Sequence, residues 1–321
     1  MLKMVLKRLL ALPLVLLGVA ILTFTLAELS PWDPVDAYVG AESGVSQENR
    51  EQIAAVWGLD EPAHERFFAW LSNIVQGDLG TSHLLGGAPI SEAIASRAGA
   101  SMILIGSSLA LVMVGGLVFG VLAAAFKDTP LDWFVRISCY FNIASPSFWV
   151  ALIAIYVFSI SLGWLPSVVT QDLGAVETSG IDVSYMILPV ITLALTQHAW
   201  FTMFVRNTLL EVMKEDHVRF ARANGLSEAR VLLRYALPGA LGPFVTLAGV
   251  NLGELIGGAI LIESIFGWPG LGLLARDAAL GVDIPLLLAI TLLGAVFVIV
   301  GNLVADLLYR VLDPRVREAM Q

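Results

Sequence analysis

Residues 100–126 read ASMILIGSSLALVMVGGLVFGVLAAAF, an apolar stretch without a single Asp, Glu, Lys or Arg. A helix needs about 20 mostly apolar residues to cross roughly 30 Å of hydrocarbon, so this segment is long enough to span a bilayer. The rest of the chain agrees with it. Of its 321 residues, 57% are hydrophobic and 14% charged, whereas soluble domains are about a quarter charged. The chain reads as an all-α integral membrane protein.

Outward from that stretch, five more pass the same test: Leu9–Leu29, Trp133–Trp164, Tyr185–Thr208, Leu237–Ile262 and Ile284–Tyr309. About six transmembrane helices are therefore expected. Trp133–Trp164 exceeds one crossing and holds Pro146 in its middle, so it is tilted or broken, and Pro189 kinks the next. The first stretch follows Lys3, Lys7 and Arg8 as in a signal peptide, but its apolar run outlasts the roughly 7–15 residues usual there. It reads as a retained helix. On a six-span map Lys127 and Arg136, the cluster from Arg206 to Arg234, and Arg310, Arg315 and Arg317 fall on the side of the N-terminus. The positive-inside rule makes that side cytoplasmic, with both termini on it. The organisation is thus residues 1–30 as first transmembrane helix and 31–99 as an external loop subdomain. Residues 100–310 form a five-helix core with a cytoplasmic loop at 209–236, and 311–321 a cytoplasmic tail. In the external loop Ser46 caps a helix over Gln47–Trp57, a second runs from Pro62 to Val75, and Trp57, Phe67, Phe68 and Trp70 pack the loop onto the spans.

Several function classes fall away. A lone cysteine, Cys139, forms no intrachain disulfide and no cysteine zinc site. His64, His83, His198 and His217 are scattered, which leaves no metal site. With a net charge of −9 and no basic face, nucleic acid is not a partner. No G-x-x-x-x-G-K-[ST] loop occurs, so the chain is expected neither to bind ATP nor to act as an enzyme by itself.

The loop between the fourth and fifth spans carries Asp216-His217-Val218-Arg219-Phe220-Ala221-Arg222-Ala223-Asn224-Gly225-Leu226-Ser227. Asp216 suits an N-cap, residues 217–224 make about two turns, Gly225 suits a left-handed stop, and Ser227 caps a second helix. Ala221, Ala223 and Gly225 leave little bulk, so another protein's surface can approach. Arg219 and Arg222 suit acidic groups or anionic lipid. This spacing, with Leu237-Pro238 following, resembles the cytoplasmic "EAA" loop of binding-protein-dependent ABC importers. Phe220 or Arg219 stands where that family's Glu would be, and His217–Arg222 is similar to the peptide-and-nickel branch. So are Ser30-Pro31-Trp32-Asp33-Pro34 after the first span, the run from Glu263 to Gly272, and Leu312-Asp313-Pro314-Arg315 near the end. The long loop after the first span resembles the "B"-type subunit of the permease pair.

The resemblance implies a permease of a bacterial inner membrane that imports by alternating access, with peptides the first choice of cargo. It implies a second homologous permease, two ATP-binding subunits or one fused pair holding ATP and Mg2+, an external substrate-binding protein, and contact with membrane lipid. Residues Asp216 to Leu226 are then the element seated on an ATPase. Glu254, Asn251 and His198, polar within predicted spans, are candidates for the translocation path. Packing explains them too: Gly249, Gly253 and Gly257 form a small-residue face beside Glu254, and Gly116 and Gly120 a similar one. An ion-coupled secondary transporter or channel is the alternative, kept open by Glu254.

Overall fold

The computed structural model describes residues 2–39, 46–169 and 183–312. The expected Asp313–Arg315 motif lies outside them. In chain order the helices begin with α1 (Leu2–Glu28), α2 (Pro34–Val39), α3 (Gln47–Val56), α4 (Ala63–Val75), α5 (Ile90–Ala125) and α6 (Pro130–Ala144). Next come α7 (Ser147–Ala154), which continues π-helically to Ser161, α8 (Val183–Val212) and α9 (Asp216–Ala223). A short α10 (Glu228–Arg230) runs through a π-helical stretch into α11 (Leu237–Val250), followed by α12 (Leu252–Phe266), α13 (Leu271–Leu280) and α14 (Ile284–Leu312). A two-residue antiparallel ladder pairs Thr81–Ser82 with Ala88–Pro89.

Among the described residues, five helical runs are long and apolar enough to cross a membrane: most of α1, α5, α8, the run from Glu228 to Gly249, and most of α14. Two further pairs, α6 with α7 and α12 with α13, pass only as broken spans, which makes seven at most among the described residues. The expected six falls inside that range, but two boundaries differ. The third stretch is two helices bent by 107°. Pro146 lacks an N–H and pushes the residue before it out of helical geometry, and Ser145 is extended at ψ 127°. The fifth stretch, expected as one helix to Ile262, is interrupted after Val250, where the Asn251 side chain donates to the Leu247 carbonyl at 2.9 Å. An asparagine that bonds local backbone competes with a continuing ladder.

The chain divides into two compact units, residues 102–268 with the segment from 298 onward, and residues 2–101 with 269–297. In the first, α5 crosses α8 at glycines. A Cβ on Gly116 would meet the Phe201 Cβ at 2.6 Å, and one on Gly120 would meet the Val205 Cβ at 2.6 Å and the Thr202 carbonyl oxygen at 2.8 Å. Gly253 lies against Val298, whereas nothing approaches Gly257. Phe201, Val205, Leu209, Phe244 and Ala248 form the centre of this unit's core.

In the second unit the Ser46 hydroxyl accepts from the Asn49 N–H at 3.4 Å at the start of α3, as its position suggested. Phe67 is buried with Ala20, Phe24 and Leu288, and Trp70 packs beside them. Trp57 stacks on His83 at 3.9 Å. Phe68, expected to pack inward, is 63% exposed, because it follows Phe67 by one position and so points about 100° around the helix. Asp283 is buried and caps α14: it accepts from the Leu286 N–H at 3.1 Å, the Ser82 hydroxyl at 2.6 Å and the Leu84 N–H at 3.0 Å.

Candidate functional site

The segment Asp216–Leu226 forms one short helix and its stop. Glu215, not Asp216, occupies the N-cap position, extended at ψ 153°, and Asp216 is the first helical residue. Its carboxylate therefore acts on the positive helix end rather than as the cap. Gly225 adopts φ +77°. Its N–H bonds the Arg222 carbonyl at 2.9 Å, the Leu226 N–H reaches the Ala221 carbonyl at 3.4 Å, and the Asn224 amide caps the Phe220 carbonyl at 2.8 Å. The last carbonyls of α9 are thereby satisfied.

Two faces result. Val218 and Ala221, three residues apart, are fully buried with Leu209, Val212, Val231, Leu232 and Ala236, and Leu226 packs against them. Ala221 thus faces this chain's own core, not an approaching partner as its size suggested. Asp216, Arg219, Phe220, Ala223, Asn224 and Gly225 are exposed, Phe220 by 71%. Both ends are tied down. Arg222 Nε and Nη2 donate to the Glu228 carboxylate at 2.9 and 3.0 Å. The His217 ring meets the Tyr235 carbonyl at 3.1 Å and the Glu215 carboxylate at 3.3 Å. Arg219 lies only 4.0 Å from Asp216, both highly exposed, so that pair fixes nothing.

The three polar span residues have different local settings. Asn251 is at the break between α11 and α12 and is committed to its own helix. Glu254, in the first turn of α12, is exposed, and no hydrogen bond or ion pair holds it among the described residues. The His198 Nδ1 bonds the Leu195 carbonyl one turn back at 2.8 Å. Its ring lines a largely apolar cavity of about 390 Å³ with Cys139 and Thr202. No hydrogen bond joins His198, Asn251 and Glu254 among the described residues.

Residues 116–318, which include α9, match the family model described as the inner membrane component of binding-protein-dependent transport systems. The chain belongs to that family. It is therefore a multi-pass inner-membrane permease subunit of a binding-protein-dependent ABC importer. Residues 1–90 match the model for the N-terminal part of such membrane components. The oligopeptide transport system permease AppB of Bacillus subtilis is 38% identical over 94% of this chain and 95% of its own length. The glutathione transport system permease GsiC of Salmonella paratyphi A is 36% identical over 99% of both. Among solved structures, a chain of the inward-facing MetNI methionine ABC transporter aligns with a TM-score of 0.58 at 18% identity, covering 70% of this chain and 97% of that one. The shared feature there is the fold.

One part of this permease escaped the sequence reading. Arg206, counted there only among the loop's positive charges, is buried at the end of α8 and grips Asp132 on α6 through Nε at 2.6 Å and Nη2 at 2.7 Å. Asp132 also accepts the Asp128 N–H at 3.0 Å and is 1% exposed. The pair ties α6 to the end of α8 from which α9 departs. Its members lie 74 positions apart, and no local pattern links them. The signal that was available is an Asp at the third position of a helix that begins at Pro130 and carries one other charge, Arg136.

Proposed function

We propose that this permease imports peptides by alternating access, and that Asp216–Leu226 is the element through which separate ATPases drive it. Lys and Arg placement supports a cytoplasmic loop and cytoplasmic termini. The working assembly is this chain with a second homologous permease, two ATP-binding subunits or one fused pair carrying ATP and Mg2+, and an external substrate-binding protein. Peptide cargo is supported by the oligopeptide and glutathione systems named for the relatives above. Glu254, the polar span residue with an uncommitted charge, is the proposed path-facing group.

The observation that carries the coupling role is the two-faced build of α9. Val218 and Ala221 key it into the core while Phe220 stands 71% exposed at its outer surface. A helix held in this way moves with the helices it is packed on, so a push on Phe220 is transmitted rather than absorbed. The test uses the buried state of the lone Cys139, which leaves a Phe220→Cys thiol selectively reachable. Cross-linking of that thiol to an ATPase subunit is expected. Phe220→Ala is expected to cut ATP-driven uptake at least about tenfold while membrane level stays normal, the loss of one anchor side chain at a contact being worth about 1.4 kcal/mol or more. Full uptake by Phe220→Ala with no cross-link from Phe220→Cys refutes the role. Cargo is tested separately by competition of labelled-peptide uptake.

A further inference from the structure

Between α10 and α11 the chain winds as a π-helix from Val231 to Ala236, closed by the Leu237 N–H on the Leu232 carbonyl five residues back. Such turns are rare, hold one residue more than an α-helical turn, and are frequent at functional sites. Burial is what this one gains. Val231, Leu232 and Ala236 all lie in the core that receives Val218 and Ala221 of α9. In an α-helix, residues five apart point about 140° away from each other, so Val231 and Ala236 would face different ways. The surplus residue of the π turn brings them onto one face.

The same stretch is bound to α9 at both ends. The His217 ring meets the Tyr235 carbonyl at 3.1 Å, and Arg222 reaches Glu228, just ahead of the π turn, at 2.9 Å. On its far side α11 continues the buried row with Ala240, Phe244 and Ala248, and Phe244 meets Phe201 of α8 edge-on with ring centroids 5.8 Å apart. A displacement of α9 therefore reaches α11 through these six residues. Pro238 makes them convertible. It has no N–H to give, neither to the Arg234 carbonyl four residues back, as an α-helix needs, nor to the Leu233 carbonyl five back, as a π-helix needs. At that turn the two registers are equal in hydrogen bonds. We propose that Val231–Ala236 is a register joint between α9 and α11. When α9 is displaced, the surplus residue migrates toward α11, and each residue it passes moves by one position, about 1.5 Å along the axis. An element with two arrangements, biased by what α9 meets, is the physical requirement for coupling over a distance.

The joint rests on the coupling role proposed for α9, and the two fail separately: uptake kept by Phe220→Ala counts against that role, whereas the joint is tested by deleting Leu233. That residue is 57% exposed. Its deletion removes the surplus position and leaves Val231 and Ala236 four apart, so a continuous α-helix keeps both on one face. Leu233→Ala, which removes the side chain and keeps the residue, is the control. In the reconstituted importer the deletion variant is expected to keep its thermal midpoint and its ATP hydrolysis. Its uptake per ATP should fall at least about fivefold, the lower end for coupling between two sites, while Leu233→Ala transports normally. Unchanged uptake per ATP in the deletion variant overturns the joint, and so does a loss that Leu233→Ala shares. Should the deletion variant not fold, amide hydrogen exchange at residues 231–237 of the unaltered importer decides. Protection there is expected to differ between the ATP-free importer and the importer holding a non-hydrolysable ATP analogue, and equal protection overturns the proposal.

Discussion

Replacing Arg206 by methionine removes the guanidinium that reaches Asp132 at 2.6 and 2.7 Å and leaves the carboxylate with the Asp128 N–H alone. Both side chains are buried, 9% and 1% exposed, so solvent does not screen the loss. Breaking a buried pair from one side costs about 3–5 kcal/mol, because a charge stays behind without its partner. At about 2–4 °C per kcal/mol for a chain of 150–250 residues, the thermal midpoint should fall by on the order of 10 °C, less if the larger assembly unfolds as one body. The assay is thermal unfolding of the detergent-solubilised importer with Arg206→Met, Asp132→Leu and the double variant. Each single variant is expected to be badly destabilised and the double variant to recover most of the loss, since an apolar replacement of a buried pair is close to neutral. Singles that shift the midpoint by under about 2 °C, or a double variant equal to their sum, refute the reasoning. Uptake by a recovered double variant is the second readout, for it asks whether the tie between α6 and α8 serves transport as well as stability.

Gly120→Ala should lower stability by about 1–3 kcal/mol, since its Cβ would press on Val205 and on the Thr202 carbonyl, while neighbouring Gly115→Ala, which meets open space, should be near neutral; equal midpoints for the two discount the close crossing. His83 is stacked on Trp57 and has its pKa lowered by burial, so the unfolded chain binds its proton more readily. Stability is therefore full above the ordinary imidazole value of 6.5 and declines as pH falls from there toward the lower folded value. His83→Phe should flatten that slope in a pH series of thermal midpoints, and an unchanged slope assigns it to other groups. Asp283→Asn should cost about 1–3 kcal/mol by weakening a buried cap that serves Leu286, Ser82 and Leu84 at once, and circular dichroism melting of the variant checks it.

The sequence by itself determined the membrane class, the apolar runs, the Ser46-capped helix and the short helix that Gly225 ends, because each depends on neighbours a few residues apart. Hydrocarbon thickness, capping chemistry and the left-handed preference of glycine act over such distances. Even there the exact register escaped: Glu215 rather than Asp216 holds the cap, since extended backbone and not side-chain type decides which residue stands first. What tertiary structure decided is which side of each helix meets which neighbour. Ala221 looked like room for a partner and proved to be an inward key beside Val218. Gly116 and Gly120 formed a small-residue face without a known neighbour, and α8 proved to be what α5 touches there. Arg206 looked like one loop charge among several and proved to be the buried mate of Asp132. A one-dimensional pattern records that a residue is small, charged or aromatic, and only packing assigns it the group it meets.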